Sequence, residues 1–250
     1  MSQHPTFGQS DIVRFSDEDA ATSLLEGAIT GLWEVVNNLT RFRRTSRQNY
    51  RVTIFGSARL APATPAYQAV QSLAAALTTM GCDIISGGGP GLMRAANEGA
   101  RAVDPDATRR SVGIRVELPF EQEVNPFVTS AYEHRTFFSR LHHFTIASDA
   151  FVVVPGGVGT LLEMSLVWQL LQVRKLYNTP FILVGSMWHD LVEWGRRAML
   201  QEGQELASPV DFTIPQCVNT IEETVAIIAS NRDAWLAAQT ANQAGAVPGP

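Results

Sequence analysis

The run AFVVVPGGVGTLLE, residues 150–163, decides the fold. Ala150 to Val154 is apolar without interruption, where a strand with one wet face would alternate with polar residues. A continuous run of this length is buried on both faces, as strands of parallel sheets are. Pro155-Gly156-Gly157-Val158-Gly159 breaks it. From Thr160 to Val173 the composition suits a helix. Buried strand, glycine turn, helix is the repeating half of a βαβ unit.

The same grammar extends outward in both directions. Val52-Thr53-Ile54-Phe55 reads as a strand that stops at Gly56-Ser57, and Tyr67 to Met80 as a helix stopped by Gly81. Cys82 to Ile85 reads as a strand that runs into Ser86-Gly87-Gly88-Gly89-Pro90-Gly91, with a helix from Leu92 to Val103. Ser111–Val116 and Phe181–Val184 are further strands. Arg135–Ala147, Met187–Leu200 and Ile221–Ala238 are further helices. The expected architecture is α/β: a Rossmann-like parallel sheet with helices on both faces, one domain over residues 51–238. Residues 239–250 read as a flexible tail.

Ahead of this domain, residues 1–50 read as a polar arm and a helix. Asp11, Asp17, Glu18 and Asp19 make the arm acidic. Leu24, Leu25, Ile29, Leu32, Trp33, Val36 and Leu39 then recur at helical spacing. The arginines that follow (Arg41, Arg43, Arg44, Arg47 and Arg51) read either as a solvated linker or as a phosphate-binding patch.

Composition narrows the function. The 250 residues hold 19 Lys+Arg against 24 Asp+Glu, a net charge of −5, which argues against a nucleic-acid partner. Cys82 and Cys217 are distant in sequence and form no CxxC, so neither a disulfide scaffold nor a cysteine zinc site is expected. The pair suits a reducing cytoplasm. No apolar run reaches the ~18 residues of a membrane span, and Met1 to Ser10 lacks a signal pattern. His142 and His143 are adjacent, hence about 100° apart on a helix, and no third ligand follows at a metal-site spacing. Neither a metal nor another cofactor is expected.

In an open parallel sheet, ligands bind beyond the carboxyl ends of the strands, where both glycine segments fall. Gly87, Gly88, Gly89 and Gly91 exceed what a tight turn needs, and glycine lets an anion approach the backbone at a helix N-terminus. Gly156, Gly157, Gly159 and Thr160 repeat the arrangement, and Ser57 stands at the end of the first strand. Neither loop is a Walker A motif or a complete G-x-G-x-x-G. A mononucleotide or sugar phosphate is therefore expected rather than NAD. Thr160-Leu161-Leu162-Glu163 reads two ways, as a capping box or as a carboxylate at the rim of a phosphate pocket. Arg140 is a candidate cation to offset that carboxylate.

Together, Ser86-Gly-Gly-Gly-Pro-Gly-Leu-Met93 and Pro155-Gly-Gly-Val-Gly-Thr-Leu-Leu-Glu163 resemble the LONELY GUY family, long mislabelled as lysine decarboxylases. The resemblance spans roughly residues 51–200. It implies a nucleoside 5′-monophosphate phosphoribohydrolase, which releases the base and ribose 5-phosphate from AMP or a cytokinin riboside monophosphate. It also implies a homodimer or an assembly of dimers. The family's catalytic glutamate matches Glu163. Its arginine lies nine residues before the aspartate that opens the fourth strand, here Asp149, which gives Arg140. The chain departs from the pattern at Leu141, where a lysine is usual, and at His143 and Val158. Leu141 keeps a second class open: a non-catalytic nucleotide-binding or molybdenum-cofactor carrier protein of the same fold. A pyridoxal-dependent decarboxylase would need a Schiff-base lysine. The chain's one lysine, Lys175, lies outside both loops.

Overall fold

The computed structural model describes residues 22, 25–29, 48–117 and 123–245. The chain divides into two compact units, Met1–Thr45 and Ser46–Pro250. In the first, residues 22 and 25–29 are helical and exposed. The rest of the helix expected over 24–39, and the arginines before Arg51, lie outside the described residues.

The second unit is built on a seven-stranded sheet in the order β4-β3-β2-β1-β5-β6-β9, every neighbouring pair parallel. In chain order its elements are β1 (Arg51–Phe55), α1 (Pro65–Thr79), β2 (Asp83–Ser86), α2 (Leu92–Val103), β3 (Ser111–Val116), β4 (Ser130–His134), α3 (Phe137–Ala147), β5 (Ala150–Val153), α4 (Val158–Gln172), β6 (Phe181–Val184) and α5 (Ser186–Met199). A two-residue hairpin, β7 (Leu200–Gln201) and β8 (Gln204–Glu205), a 3-10 turn over Pro209–Thr213, β9 (Gln216–Val218) and α6 (Ile221–Gly245) complete it.

The apolar run of β5 is buried because it pairs on both edges, Phe151 opposite Thr53 of β1 and Phe181 of β6. Its side chains still alternate between faces. Val152 joins Val52, Ile54, Ile84 and Ile182 under Leu73 and Leu77 of α1, Leu92 of α2 and Ile228 of α6. Phe151 and Val153 join Phe55, Ile85 and Ile114 under Phe144 of α3, Met164 and Val167 of α4, and Trp188 of α5. At ~25 cal/mol per Å² of apolar surface, these two layers are the main stabilising term of the domain.

The expected strands and helices recur in the structure with shifts of a residue or two at their ends. Two strands of the seven-stranded sheet carried no readable signal, β4 (SAYEH) and β9 (QCV), and neither did the two-residue strands β7 and β8 outside it. β4 and β9 lie at sheet edges, where one side needs no apolar partner and polar residues guard against pairing with another chain. The last helix runs past Ala238 to Gly245, through alanine-rich sequence with high helix propensity.

One consequence positions the site. From β1 the chain builds outward through β2, β3 and β4, then crosses back to place β5 on β1's other edge. The loops leaving β1 and β5 therefore part company at their carboxyl ends, the crevice in which open α/β sheets hold ligands. No described helix is long and apolar enough to cross a membrane.

Candidate functional site

The two glycine loops meet at this crevice, joined by Ser57. Its N–H donates to Pro155 O (3.1 Å), and its carbonyl accepts from Leu92 N–H (2.7 Å). The end of β1 thus ties the second loop to the start of α2.

The first loop, residues 87–91, is packed, with Gly87, Gly88, Gly89 and Gly91 all buried. Gly88 and Gly91 have φ of +72° and +64°, a region that favours glycine. A Cβ on Gly91 would overlap the backbone of Ser57 and Ala58. Buried polar side chains clamp the loop from outside. Ser86 Oγ donates to Asn97 Oδ1 (2.6 Å) and accepts from Gly88 N–H (2.9 Å). Asn125 Nδ2 donates to Gly89 O (3.1 Å) and to Asn97 Oδ1 (2.9 Å). The apparent excess of glycine here is accounted for at positions 87, 88 and 91 by what the protein itself places against them. Asn97 was legible only as a polar residue on the apolar face of α2.

The second loop is open. Gly157 and Gly159 have nothing within 4 Å of where a Cβ would stand, and Val158 is 84% exposed. Gly157 caps α4 with an ordinary extended φ of −96° and no side-chain hydrogen bond. Leu161 N–H is bonded to Gly157 O (2.9 Å). By helix geometry, the N–H groups of Val158, Gly159 and Thr160 before it lack intrahelical partners and sit at the positive end of the helix dipole. An apolar hollow of about 270 Å³, lined by Gly156, Gly157, Leu161, Met187, Trp188 and Leu191, adjoins them. The Trp188 indole N–H is already given to Val154 O.

Between the loops, Arg140 of α3 meets Glu163 of α4. Nη1 lies 2.8 Å from Glu163 Oε1, and the two side chains are only 11% and 10% exposed. Arg140 Nε–H donates to Ile114 O of β3 (2.9 Å), and the guanidinium lies over the Phe144 ring. The capping-box reading of Thr160 and Glu163 therefore fails. The helix starts two residues earlier, at Val158, and the carboxylate points to a buried cation instead of a backbone N–H. Burial raises the Glu163 proton affinity above that of an ordinary carboxylate. The charge and hydrogen bond of Arg140 oppose that rise.

Other polar and aromatic side chains are held away from the pair or turned to solvent. Glu98 accepts the Tyr67 hydroxyl (2.5 Å) and pairs with Arg94. Glu117 is exposed. Trp168 Nε1–H donates to Asp211 O and holds the 3-10 turn. Leu141 is buried, so the position that is usually lysine in the resembled family is here an apolar packing position. Lys175 is exposed past the far end of α4, about 20 Å from its N-terminus at 1.5 Å per residue. His143 is hydrogen-bonded through Nδ1 to His134 Nε2 (2.9 Å), a pair the sequence did not reveal because β4 was not legible. Burial and neighbouring positive charge push the His143 imidazole down to about 4. Among the described residues, no group of three or more His, Cys, Asp or Glu side chains could hold a metal ion.

Comparison with solved structures gives the same fold. The molybdenum cofactor carrier protein of Chlamydomonas reinhardtii superposes with a TM-score of 0.56 at 16% identity, over 74% of this chain and 98% of that one. The molybdenum cofactor binding protein of the phototrophic bacterium Rippkaea orientalis gives 0.55 at 17% identity, over 74% and 98%. The structural-genomics target TM1055 gives 0.50 at 19% identity, over 72% and 99%. At these identities the likeness is one of fold alone. No curated protein matches the chain significantly. A family model described as "Possible lysine decarboxylase" matches residues 93–228, more than half of the chain, including Arg140, the second loop and Glu163. The chain therefore belongs to that family, the LONELY GUY family under its older label.

Proposed function

We propose that the protein is a nucleoside 5′-monophosphate phosphoribohydrolase, cleaving the N-glycosidic bond of a purine nucleotide such as AMP or a cytokinin riboside monophosphate. The observation that carries this reading is the buried Arg140–Glu163 pair, 2.8 Å apart, beside a helix N-terminus whose Gly157 and Gly159 face open space among the described residues. The 5′-phosphate is assigned to the N–H groups of Gly157, Val158, Gly159 and Thr160. Fixing that end of the ligand fixes the ribose. Breaking the C1′–N bond builds positive charge on the sugar, which the Glu163 carboxylate stabilises. The same carboxylate, with its raised proton affinity, accepts a proton from the water that attacks C1′. The products are free base and ribose 5-phosphate. Arg140 keeps Glu163 ionised and oriented until the ligand enters. A base-release assay across purine and pyrimidine monophosphates, with Glu163→Gln as control, tests the assignment. Release of adenine from AMP that is lost in the variant supports it. Absence of release from every monophosphate rejects it.

Buried Leu141 favours a second reading, a carrier that binds a phosphate-bearing cofactor without turnover. It calls for a ligand that co-purifies intact. In either case a homodimer is the expected assembly. Phe137 and Phe138 on α3 and Leu162 on α4 are 48%, 78% and 47% exposed, apolar surface that a second copy would cover. Light scattering of the purified protein checks this.

A further inference from the structure

Gly87 is a glycine of the first loop whose absent side chain matters to Arg140. The residue is buried, and it is not among the glycines with positive φ, so its backbone would accept alanine. A Cβ there would meet no backbone atom. It would meet Met93 Sδ on one side and Arg140 Nη2, at 2.7 Å, on the other. Arg140's other two nitrogens are committed, Nη1 to Glu163 and Nε to Ile114 O. The guanidinium therefore fills a slot with three walls: the Glu163 carboxylate, the Ile114 carbonyl of β3 and the bare Cα of Gly87. The neighbouring glycines differ. At Gly88 a Cβ would come within 3.0 Å of Gly113 Cα, and at Gly91 it would meet backbone oxygens, so substitution at either strains the fold itself.

We infer that Gly87 is a positioning residue, whose lack of a side chain provides the seat from which Arg140 engages Glu163. This reassigns one residue of the first loop from contact with the ligand to support of the ion pair. It rests on the reading of Arg140 and Glu163 as the reacting pair. A methyl group at 87 displaces only the ends of two flexible side chains, so the domain survives while the guanidinium moves. Once Arg140 leaves, the effect of burial on Glu163 is no longer opposed, and its proton affinity climbs further.

The test uses the full chain as Gly87→Ala, Met93→Ala and the double variant. Met93→Ala removes the sulfur, so that in the double variant the new methyl meets the guanidinium alone, which keeps the experiment readable if Gly87→Ala folds poorly. Nitrogen-15 spectra follow the Arg140 Nε–H, assigned by its loss in Arg140→Lys. Carbon-13 spectra follow the Glu163 carboxyl through a pH titration. In Gly87→Ala and in the double variant, the Arg140 resonance is expected to shift or broaden and the Glu163 midpoint to rise. Ribose 5-phosphate affinity should stay within 3-fold, and kcat for base release should fall at least 30-fold with KM little changed. Three results would overturn the inference: unchanged Arg140 and Glu163 signals in the double variant, turnover restored by Met93→Ala, or a loss confined to ribose 5-phosphate affinity. If wild-type protein releases no base, the hydrolase reading falls, while the two spectroscopic readouts still decide the role of Gly87.

Discussion

The two glycine loops look alike in sequence and differ in what surrounds them. Around the first, each glycine whose surroundings are defined faces another part of the protein: the Met93 and Arg140 side-chain ends, the Gly113 backbone, the Ser57 and Ala58 backbone. Around the second, Gly156 is packed against Thr160, but Gly157 and Gly159 face open space. A glycine within a helix costs up to roughly 0.5–1 kcal/mol relative to alanine, the full amount at its middle. Among the described residues nothing packs against Gly159, and an approaching ligand would give a reason for it. The contrast teaches that glycine density does not identify an anion cradle. What identifies it is glycine that the fold leaves unexplained.

The largest expected effect lies where the two loops meet. Glu163→Gln should lower base release by about 10²–10⁴-fold, the usual contribution of a general base, with the thermal midpoint within a few degrees of wild type. If the loss is smaller than tenfold, the pair between the loops is structural and the contrast between them loses its functional meaning.

Alanine substitution separates the loops next. Gly91→Ala must place a side chain at φ +64° against the Ser57 backbone and should destabilise the domain by about 3 kcal/mol or more, read as a shifted urea midpoint. Gly157→Ala, with extended backbone and free space, should change stability by no more than about 0.5 kcal/mol. It should still weaken ribose 5-phosphate binding about tenfold, as the methyl fills the cradle. Equal stability losses at the two sites would erase the distinction.

Two pH effects are smaller. Burial raises the folded-state proton affinity of Glu163 above its unfolded value, so its contribution to stability is fully present below the unfolded pKa of about 4.3 and declines as pH rises through the folded value. Relative to Glu163→Gln, wild type should therefore be most stable in acid and lose ground toward neutrality. His143 has the opposite sign. Its imidazole is held down to about 4, so stability present above about 6.5 should be lost as pH falls toward 4, and His143→Asn should flatten that slope. Thermal midpoints at pH 4, 6 and 8 check both.

The parallel sheet was legible because β1, β2, β3, β5 and β6 are buried almost throughout, which writes unbroken apolar runs into β5 and β6 and short Val, Ile and Phe stretches into the others. β4, with exposed Ala131, Tyr132 and Glu133, had no such signature, so His134 and its bond to His143 stayed hidden. Arg140 and Glu163 could be named from motif spacing, but not their 2.8 Å contact, since that distance depends on how α3 and α4 pack. The Thr160–Glu163 spacing left a capping box and a pocket-rim carboxylate both open, because four letters do not say which way the Glu163 side chain turns. The Gly87 seat for Arg140 is likewise a matter of packing between elements 53 positions apart, beyond any local pattern.

The most direct measurement is a backbone amide titration with ribose 5-phosphate followed by nitrogen-15 NMR. The account expects saturable shifts at Gly157, Val158, Gly159 and Thr160, while Gly88 and Leu92, already bonded within the fold, stay still. Shifts at Gly88 and Leu92 with none at Gly157 to Thr160 would contradict it.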